Sequence, residues 1–263
     1  DRDELEKSSA VQPELRAIDA YNAREPLIEW VRGFGVTTVH TGHAPGAVIS
    51  GQTMIVKLRG ETLDEAVLQP LAMVAATLGE GATSDTDKAQ PGTRSKAAAL
   101  LREELVKTQS WMAKRARAVE EKEPVERDLR RETLALVLEG KVPLLVTAQR
   151  AQDIATALRL AKEFDLRLVL DGAAEAPLVL DAIRAAKVPV IVHPTMFRAV
   201  GETENLSLET PGALKKAGIQ VALQGGYESY VPRARVVLFE AAEAAAYGLS
   251  FDDALGLITI EAA

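Results

Sequence analysis

The 263-residue sequence contains no cysteine. This absence excludes disulfide bonds, thiolate-bound zinc and catalysis by a thiol nucleophile. It leaves the cellular compartment open, because secreted proteins can also lack cysteine. The chemistry of any site in this chain therefore has to come from other side chains.

Long apolar runs are also missing. Stretches such as 142–146 have the length of a barrel strand, far below the roughly 20 residues that cross a bilayer. The first seven residues are mostly charged and lack the apolar centre of a signal peptide. We expect a soluble protein of the cytoplasm or the periplasm, with no membrane partner, that is a piece of a longer chain.

An excess of positive charge is the third absence, since the formal net charge is -7. Nucleic-acid binding needs clustered lysine and arginine without compensating carboxylates. The sequence therefore argues against nucleic acid as a partner.

Apolar residues, in contrast, are plentiful, at 47% of the chain. From about residue 125 onward, a polar amphipathic stretch, a short β-branched run and a turn follow one another repeatedly. Their spacing fits a strand plus a crossover helix, and such units build parallel sheets. The predicted strands are 143–147, 167–170, 189–192 and 219–223, with helices at 151–164 and 178–186.

The front half has the same α/β character. A helix-like segment at 26–33 precedes a predicted buried strand at 36–39, and a further strand is predicted at 53–57. Together these strands predict one parallel barrel, closed or nearly closed, in a single domain over residues 1–263. Residues 79–92 predict a flexible surface loop. Helices are predicted at 95–122 and 235–248, and Ser250 is a candidate cap for another.

Several phrases follow one another in an order that resembles a known family. They are Gln12 to Ala20, Gly35-Val-Thr-Thr-Val39, Gly51-Gln52 with Lys57, Arg150-Ala-Gln-Asp-Ile154, Ala157-Leu-Arg-Leu-Ala161, Pro194-Thr195 and Ala217 to Ala222. Their joint order and spacing resemble the imidazolonepropionase-like branch of the amidohydrolase superfamily. The resemblance implies a (β/α)8 TIM-type barrel, hydrolysis of cyclic amide C–N bonds, and zinc or another divalent metal as the family's cofactor.

The same resemblance implies a barrel truncated at both ends. The first barrel strand would precede Asp1, and the small flanking β domain of the family is not in this sequence. In the family, a His-x-His pair on that first strand, a histidine on the fifth and an aspartate on the eighth hold the metal. The metal then lowers the pKa of a bound water to about 7.

The family's ligand positions that fall within this chain are changed. By the resemblance, Thr147 occupies the strand-five position, Gln149 follows on the same strand face, and Gly226 occupies the strand-eight position. Threonine and glutamine are not usual zinc ligands, and glycine offers no side chain. We therefore predict a degenerate metal site, no cofactor in this chain, and weak or absent activity.

Three functions remain open at this point. The first is an active metal-dependent hydrolase whose longer form supplies the His-x-His pair and uses His193 or Glu228 in place of the lost ligands. The second is a non-catalytic ligand-binding or partner subunit, and the third is a structural role in a homo-oligomer. The two changed ligands favour the second, with a small polar molecule as the ligand.

Candidate site residues follow the carboxyl ends of the predicted strands, where barrels of this type carry out their chemistry. The catalytic candidates are His193 and Glu228, although a packed histidine and a solvated loop carboxylate are the ordinary alternatives. The candidates for binding a small polar molecule are Thr147, Gln149, Arg150, Glu175 and Tyr227. We predict that the strand-end positions converge at one end of the barrel, namely Thr147, Gln149, Glu175, His193 and Gly226.

Other polar residues are weaker candidates. His40 and His43 follow a strand, but their spacing of three in a loop fixes no metal geometry. Lys57 ends a strand, where a salt bridge or a substrate anchor is expected rather than a bridge between metals. Tyr230 and Arg233 lie in the strand-eight loop, where they either close over the barrel mouth or simply pack.

Overall fold

The computed structural model describes residues 4–195, 197–226 and 233–263. The strands are β1 (Thr38–Gly42), β2 (Ile49–Lys57), β3 (Val67–Gln69), β4 (Val74–Thr77), β5 (Leu144–Ala148), β6 (Leu168–Gly172), β7 (Val190–Val192) and β8 (Val221–Leu223). The helices are α1 (Pro26–Arg32), α2 (Leu63–Ala66), α3 (Arg94–Glu120), α4 (Leu129–Leu138), α5 (Ala151–Phe164), α6 (Leu180–Ala186), α7 (Thr210–Lys216), α8 (Val237–Ala246) and α9 (Phe251–Gly256). The strands form one sheet in the order β1-β2-β4-β5-β6-β7-β8, and β3 pairs with β2.

The second half of this sheet is the parallel part of a barrel. Strands β4 to β8 pair in sequence order, each parallel to the next. Helices α3 and α4, then α5, α6 and α7, fill the successive crossovers. The parallel βα units predicted from residue 143 onward are therefore confirmed. The chain is an α/β fold whose curled sheet corresponds to part of a TIM-type barrel, while the full count of eight units stays a prediction.

Side-chain alternation separates the two faces of the parallel strands. Leu144, Val146 and Ala148 of β5 belong to the main hydrophobic core, which α5 completes with residues such as Ile154 and Leu160. Burying each of the larger side chains stabilises the fold by about 1.5–3 kcal/mol. The alternate residues of each strand point to the inner face. This alternation directs the polar residues near the strand ends into the barrel mouth.

The front half of the sheet is antiparallel, so the prediction of parallel pairing throughout is wrong there. β1 pairs antiparallel with β2, and β2 pairs antiparallel with β4. Residues 43–48, which connect β1 to β2, are too few for the crossover of a dozen or more residues that parallel pairing needs. β1 is also only half-buried, because it lies at the sheet edge, so the burial predicted for 36–39 is wrong as well.

Two strands were not predicted. β4 is the run Val74-Ala-Ala-Thr77, and all four of its residues are buried. Alanine is depleted in strands, so the two central alanines weaken the β signal of Val74 and Thr77. β3 is a three-residue strand against β2. Burial between β2 and β5, rather than β propensity, makes 74–77 a strand.

The predicted helices are largely confirmed. α5 has the predicted bounds, α3 covers nearly all of the predicted segment 95–122, and α8 lies within 235–248. Ser250 caps α9, because its hydroxyl accepts a hydrogen bond from the Asp253 amide over 3.1 Å. Within 79–92, a 3-10 turn covers Glu80–Ala82; the flexibility of that stretch and the single-domain assignment stay predictions. No helix in the described ranges combines the length and apolar character needed to cross a bilayer.

Candidate functional site

The carboxyl ends of β5 to β8 bring polar side chains together on the inner face of the sheet. Thr147 lies in register beside Asp171, and Asp171 lies beside Ile191 on the next strand. His193 directly follows β7, and Gln224 directly follows β8. We call this end of the sheet the barrel mouth.

Asp171 is the centre of the mouth. The Thr147 hydroxyl donates to its Oδ2 over 2.5 Å, and Gln224 Nε2 donates to its Oδ1 over 2.7 Å. Only 4% of Asp171 is exposed. Burial raises the pKa of this carboxyl, and the two hydrogen bonds partly oppose the shift. Asp171 thus has both oxygens occupied by neutral donors.

Neither Asp171 nor Gln224 was among the residues predicted from the sequence. A signal was present for both, because each is a polar residue directly after an apolar run. The carboxyl ends of barrel strands are where such residues face the site. The residue that the sequence predicts after β6 is Glu175, four residues beyond Asp171.

Gln149 is held against the backbone of the β6 turn. Its Oε1 accepts a hydrogen bond from the Ala174 amide over 3.2 Å, and its carbonyl accepts one from the Glu175 amide over 2.9 Å. Gly172 makes this close approach possible, because a Cβ at that position would collide with the Gln149 amide group. Its φ of +79° also lies in the region that favours glycine. Gln149 therefore lies at the mouth, where it was predicted.

His193 is buried beneath the loop that follows β7, with 2% of its surface exposed. Its amide donates to the Gly172 carbonyl over 2.8 Å, and its Nδ1 lies 3.1 Å from the Pro194 carbonyl oxygen. A carbonyl can only accept, so Nδ1 carries the proton in this contact. Burial lowers the pKa of the ring, an effect that the Pro194 and Ser207 carbonyls partly oppose. The imidazole is therefore neutral near pH 7, with Nε2 as its basic atom.

Arg150 and Glu175, both predicted to bind a ligand, bind each other. Arg150 donates to Glu175 Oε1 over 3.0 Å and to Glu204 Oε1 over 2.7 Å. Glu175 also accepts from the Ala151 amide and from the Asn205 side chain. Although burial raises the pKa of Glu175, these hydrogen bonds outweigh it and the net shift is downward. The charges of Arg150 and Glu175 are therefore both paired within the protein.

We call residues 201–205 the strap. Arg150 contacts this segment through Glu204 and Gly201, and Arg94 contacts it through Glu202. Arg94 forms ion pairs with Glu80, Asp153 and Glu202 at 2.8, 3.2 and 3.2 Å. Glu202 of the strap also accepts hydrogen bonds from two amides of the 3-10 turn at 80–82. Burial raises the pKa of Asp153, and the charge of Arg94 opposes the shift. These residues come from distant parts of the sequence, so no local motif indicated their contact.

A further buried carboxyl lies near the end of β7. Glu240 of α8 is 1% exposed, and its Oε2 accepts a hydrogen bond from the Thr195 amide over 2.7 Å. Burial raises the pKa of Glu240, and the charge of Arg233 opposes this shift. Glu240 therefore fixes the backbone of the turn after His193.

The remaining predicted residues have different outcomes. Gly226 ends the described stretch after β8 and packs against Pro194. The predicted catalytic Glu228 and the candidates Tyr227 and Tyr230 lie outside the described residues. The structure thus brings Thr147, Gln149, Glu175 and His193 to one end of the sheet, with Gly226 beside the turn after β7. Their catalytic and binding roles stay predictions.

The front-half candidates belong to the antiparallel part of the sheet. His40 Nε2 lies 2.6 Å from Thr53 Oγ1, and burial lowers the pKa of this histidine to about 4. His43 packs against Gly51 instead. Lys57 Nζ donates to Thr38 Oγ1 over 2.8 Å. His40 and Lys57 thus have neighbours on β2 and β1. They lie away from Asp171 with its bonded partners Thr147 and Gln224, which we call the Asp171 cluster.

The described residues of the mouth do not fit the metal centre that the family resemblance implies. Across residues 4–195, 197–226 and 233–263, no group of three His, Asp or Glu side chains could hold a metal ion. Asp171 is the carboxylate on the inner face, and its neighbours are a hydroxyl and an amide, which are poor zinc ligands. Polar residues are gathered there, but the described donor set is not that of a divalent metal site.

Comparison with known proteins gives one informative match. No protein-family model matches the chain, and a search of curated proteins finds no significant relative. Among solved structures, the chain is similar to an amidohydrolase from Thermotoga maritima MSB8, with 31% sequence identity and a TM-score of 0.93. The match covers 98% of this chain and 68% of that one. Identity at this level over nearly the whole chain, together with the shared barrel architecture, shows that this chain belongs to the amidohydrolase family.

Proposed function

We propose that this hydrolase-like barrel binds a small polar molecule at its mouth, and that a hydrogen-bonded Asp171 cluster stands in place of a metal centre in the described chain. Cyclic amides are then the ligand class. Hydrolysis by the chain itself is weak or absent. A homo-oligomer and a partner subunit are both compatible with this role.

The main support for this proposal is that Asp171 already accepts a hydrogen bond at each of its oxygens. Both of its oxygens accept hydrogen bonds from uncharged donors, Thr147 and Gln224. A cation bound there would have to displace those donors and would then meet one carboxylate. Stable zinc sites normally have three or four protein ligands, so its affinity would be low.

The other groups at the mouth suit a neutral ligand. Gln149 and Gln224 carry amides, Thr147 carries a hydroxyl, and these groups can both donate and accept hydrogen bonds. His193 adds a neutral imidazole, whose Nε2 is buried and makes no hydrogen bond within the described part of the chain. Small-molecule sites commonly fix their ligands with a few such convergent polar groups.

A second function has its own support. The similar Thermotoga maritima protein is an amidohydrolase, and this chain covers 68% of its length. A metal-dependent hydrolase, with further ligands supplied by a longer form of this protein, is therefore the alternative.

One experiment separates the two functions. The purified protein would be analysed for zinc, manganese and iron, then incubated with each metal and assayed for hydrolysis of hydantoin and dihydrouracil. We expect less than about 0.1 metal ion per chain and no turnover that depends on added metal. An Asp171→Asn variant serves as the control, because a metal centre built on Asp171 would lose both metal and activity in it. Stoichiometric metal with metal-dependent turnover would establish the alternative.

A further inference from the structure

Two arginines beside the mouth, Arg94 and Arg150, have their charges matched within the protein. Arg150 donates to Glu175 and Glu204, and a third hydrogen bond goes to the Gly201 carbonyl over 2.9 Å. Arg94 is shared by three carboxylates, those of Glu80, Asp153 and Glu202. A guanidinium recognises an anion through unoccupied paired N–H donors. In this chain those donors already point at carboxylates of the same chain.

Among the described residues that pair with one another around the mouth, carboxyl groups outnumber arginines. The carboxyls are Glu80, Asp153, Asp171, Glu175, Glu202, Glu204 and Glu240. The arginines that act on them are Arg94, Arg150 and Arg233. Three of the carboxyls, on Asp153, Asp171 and Glu240, have raised pKa values because they are buried. Even with those three uncharged, four carboxylates face three guanidiniums within this set of paired residues.

The inner surface of the mouth adds no compensating cation among the residues described there. Thr147, Gln149 and Gln224 are uncharged, and the lowered pKa of His193 keeps its imidazole neutral near pH 7. A carboxylate brought to this surface would lose hydration and meet like charges. An uncharged group of the same size would lose much less.

We propose that the barrel mouth selects uncharged amide ligands and excludes analogues that carry a carboxylate, because Arg94 and Arg150 are neutralised from within and the described lining is uncharged or acidic. This inference rests on the proposed function, namely that the mouth binds a small polar molecule. Selectivity here comes from repulsion of the wrong ligand as much as from attraction of the right one.

A matched pair of compounds tests the charge selection directly. Pyroglutamate and its neutral amide have the same ring and nearly the same size, and they differ by one negative charge. Isothermal titration calorimetry on the purified protein should show the amide binding at least tenfold more tightly than the acid at pH 7.5. Equal or tighter binding of pyroglutamate would overturn the charge selection alone. Binding of neither compound would contradict the proposed ligand-binding function, and this inference with it.

A single variant tests whether the pairing of Arg150 with carboxylates causes this selectivity. Glu204→Gln removes one of the two carboxylates on Arg150, so binding of pyroglutamate should strengthen at least threefold while binding of the amide stays the same. Glu209→Gln is the matched control, because Glu209 is exposed a few residues further along and makes the same change in charge. An unchanged preference in Glu204→Gln, or an equal change in both variants, would contradict the role of Arg150.

Discussion

Thr147 and Asp171 are register partners on neighbouring parallel strands, and the threonine hydroxyl donates a 2.5 Å hydrogen bond to the aspartate Oδ2. The family resemblance predicts that Thr147 occupies the position of a metal-binding histidine. The residue in that position binds the buried carboxylate through a neutral donor instead. This contact gives one oxygen of the buried Asp171 carboxyl a hydrogen-bond donor from the neighbouring strand.

The Thr147 hydroxyl should contribute measurably to stability. Thr147→Val keeps the side-chain shape but leaves Asp171 Oδ2 without this donor, which should lower the free energy of unfolding by about 1–3 kcal/mol. Urea unfolding followed by circular dichroism measures the change. Thr156→Val, on the exposed side of α5, is the control and should change stability by less than about 0.5 kcal/mol. Equal effects of the two variants would show that the contact is energetically unimportant.

Asp171 should make stability depend on pH. Its pKa is raised in the folded state, so the folded protein holds this proton more tightly than the unfolded chain does. Its contribution is therefore fully present below the ordinary aspartate pKa and is lost as the pH rises through the raised value. Asp171→Asn should flatten this part of the stability profile, measured by urea unfolding between pH 4 and 8. Parallel profiles for the two proteins would be inconsistent with a raised pKa.

Gly172 should be intolerant of a side chain. Gly172→Ala places a Cβ against Gln149 at a positive φ, so we expect a loss of about 1–3 kcal/mol in unfolding free energy. Gly92→Ala is the matched control, because that glycine has open space around its Cβ position and no positive φ. Thermal unfolding of both variants compares them. A Gly172→Ala protein as stable as the control would argue against the packing of Gln149 on this turn.

Arg94 should hold the strap closed. Arg94→Ala removes the cation that Asp153, Glu80 and Glu202 share, so hydrogen exchange should become faster at 80–82 and 201–205. Arg102→Ala is the control, since it breaks only the exposed ion pair with Glu163. Exchange rates at the strap that are unchanged in Arg94→Ala would show that other contacts fix it.

The parallel half of the fold was predictable from sequence because its apolar runs and amphipathic helices are local patterns. The ends of the predicted strands 143–147 and 189–192 also predicted that Thr147 and His193 lie at the same end of the sheet, and the structure places them there. The antiparallel front half was not predicted, since its pairing depends on which strands meet and not on local pattern. β4 was hidden for a related reason, because its alanines become a strand only through burial between β2 and β5.

The composition of the site was only partly predictable. The sequence predicted that Arg150 and Glu175 lie at the mouth. It does not reveal that Arg150 pairs with Glu204 or that Glu175 accepts a hydrogen bond from Asn205. Arg94, Asp153 and Glu202 come from three distant segments, so their ion pairs require the tertiary fold. Asp171 could have been found, because it directly follows a predicted barrel strand.

Anomalous diffraction tests most directly whether the Asp171 cluster stands in place of a metal centre. Crystals of the protein would be soaked in zinc and in manganese, and data would be collected at each absorption edge. We predict no ordered ion within coordination distance of Asp171 or His193, with Thr147 and Gln224 still bonded to the carboxylate. An ordered, well-occupied ion held by Asp171 or His193 and at least two other side chains would contradict this and make metal-dependent hydrolysis the function.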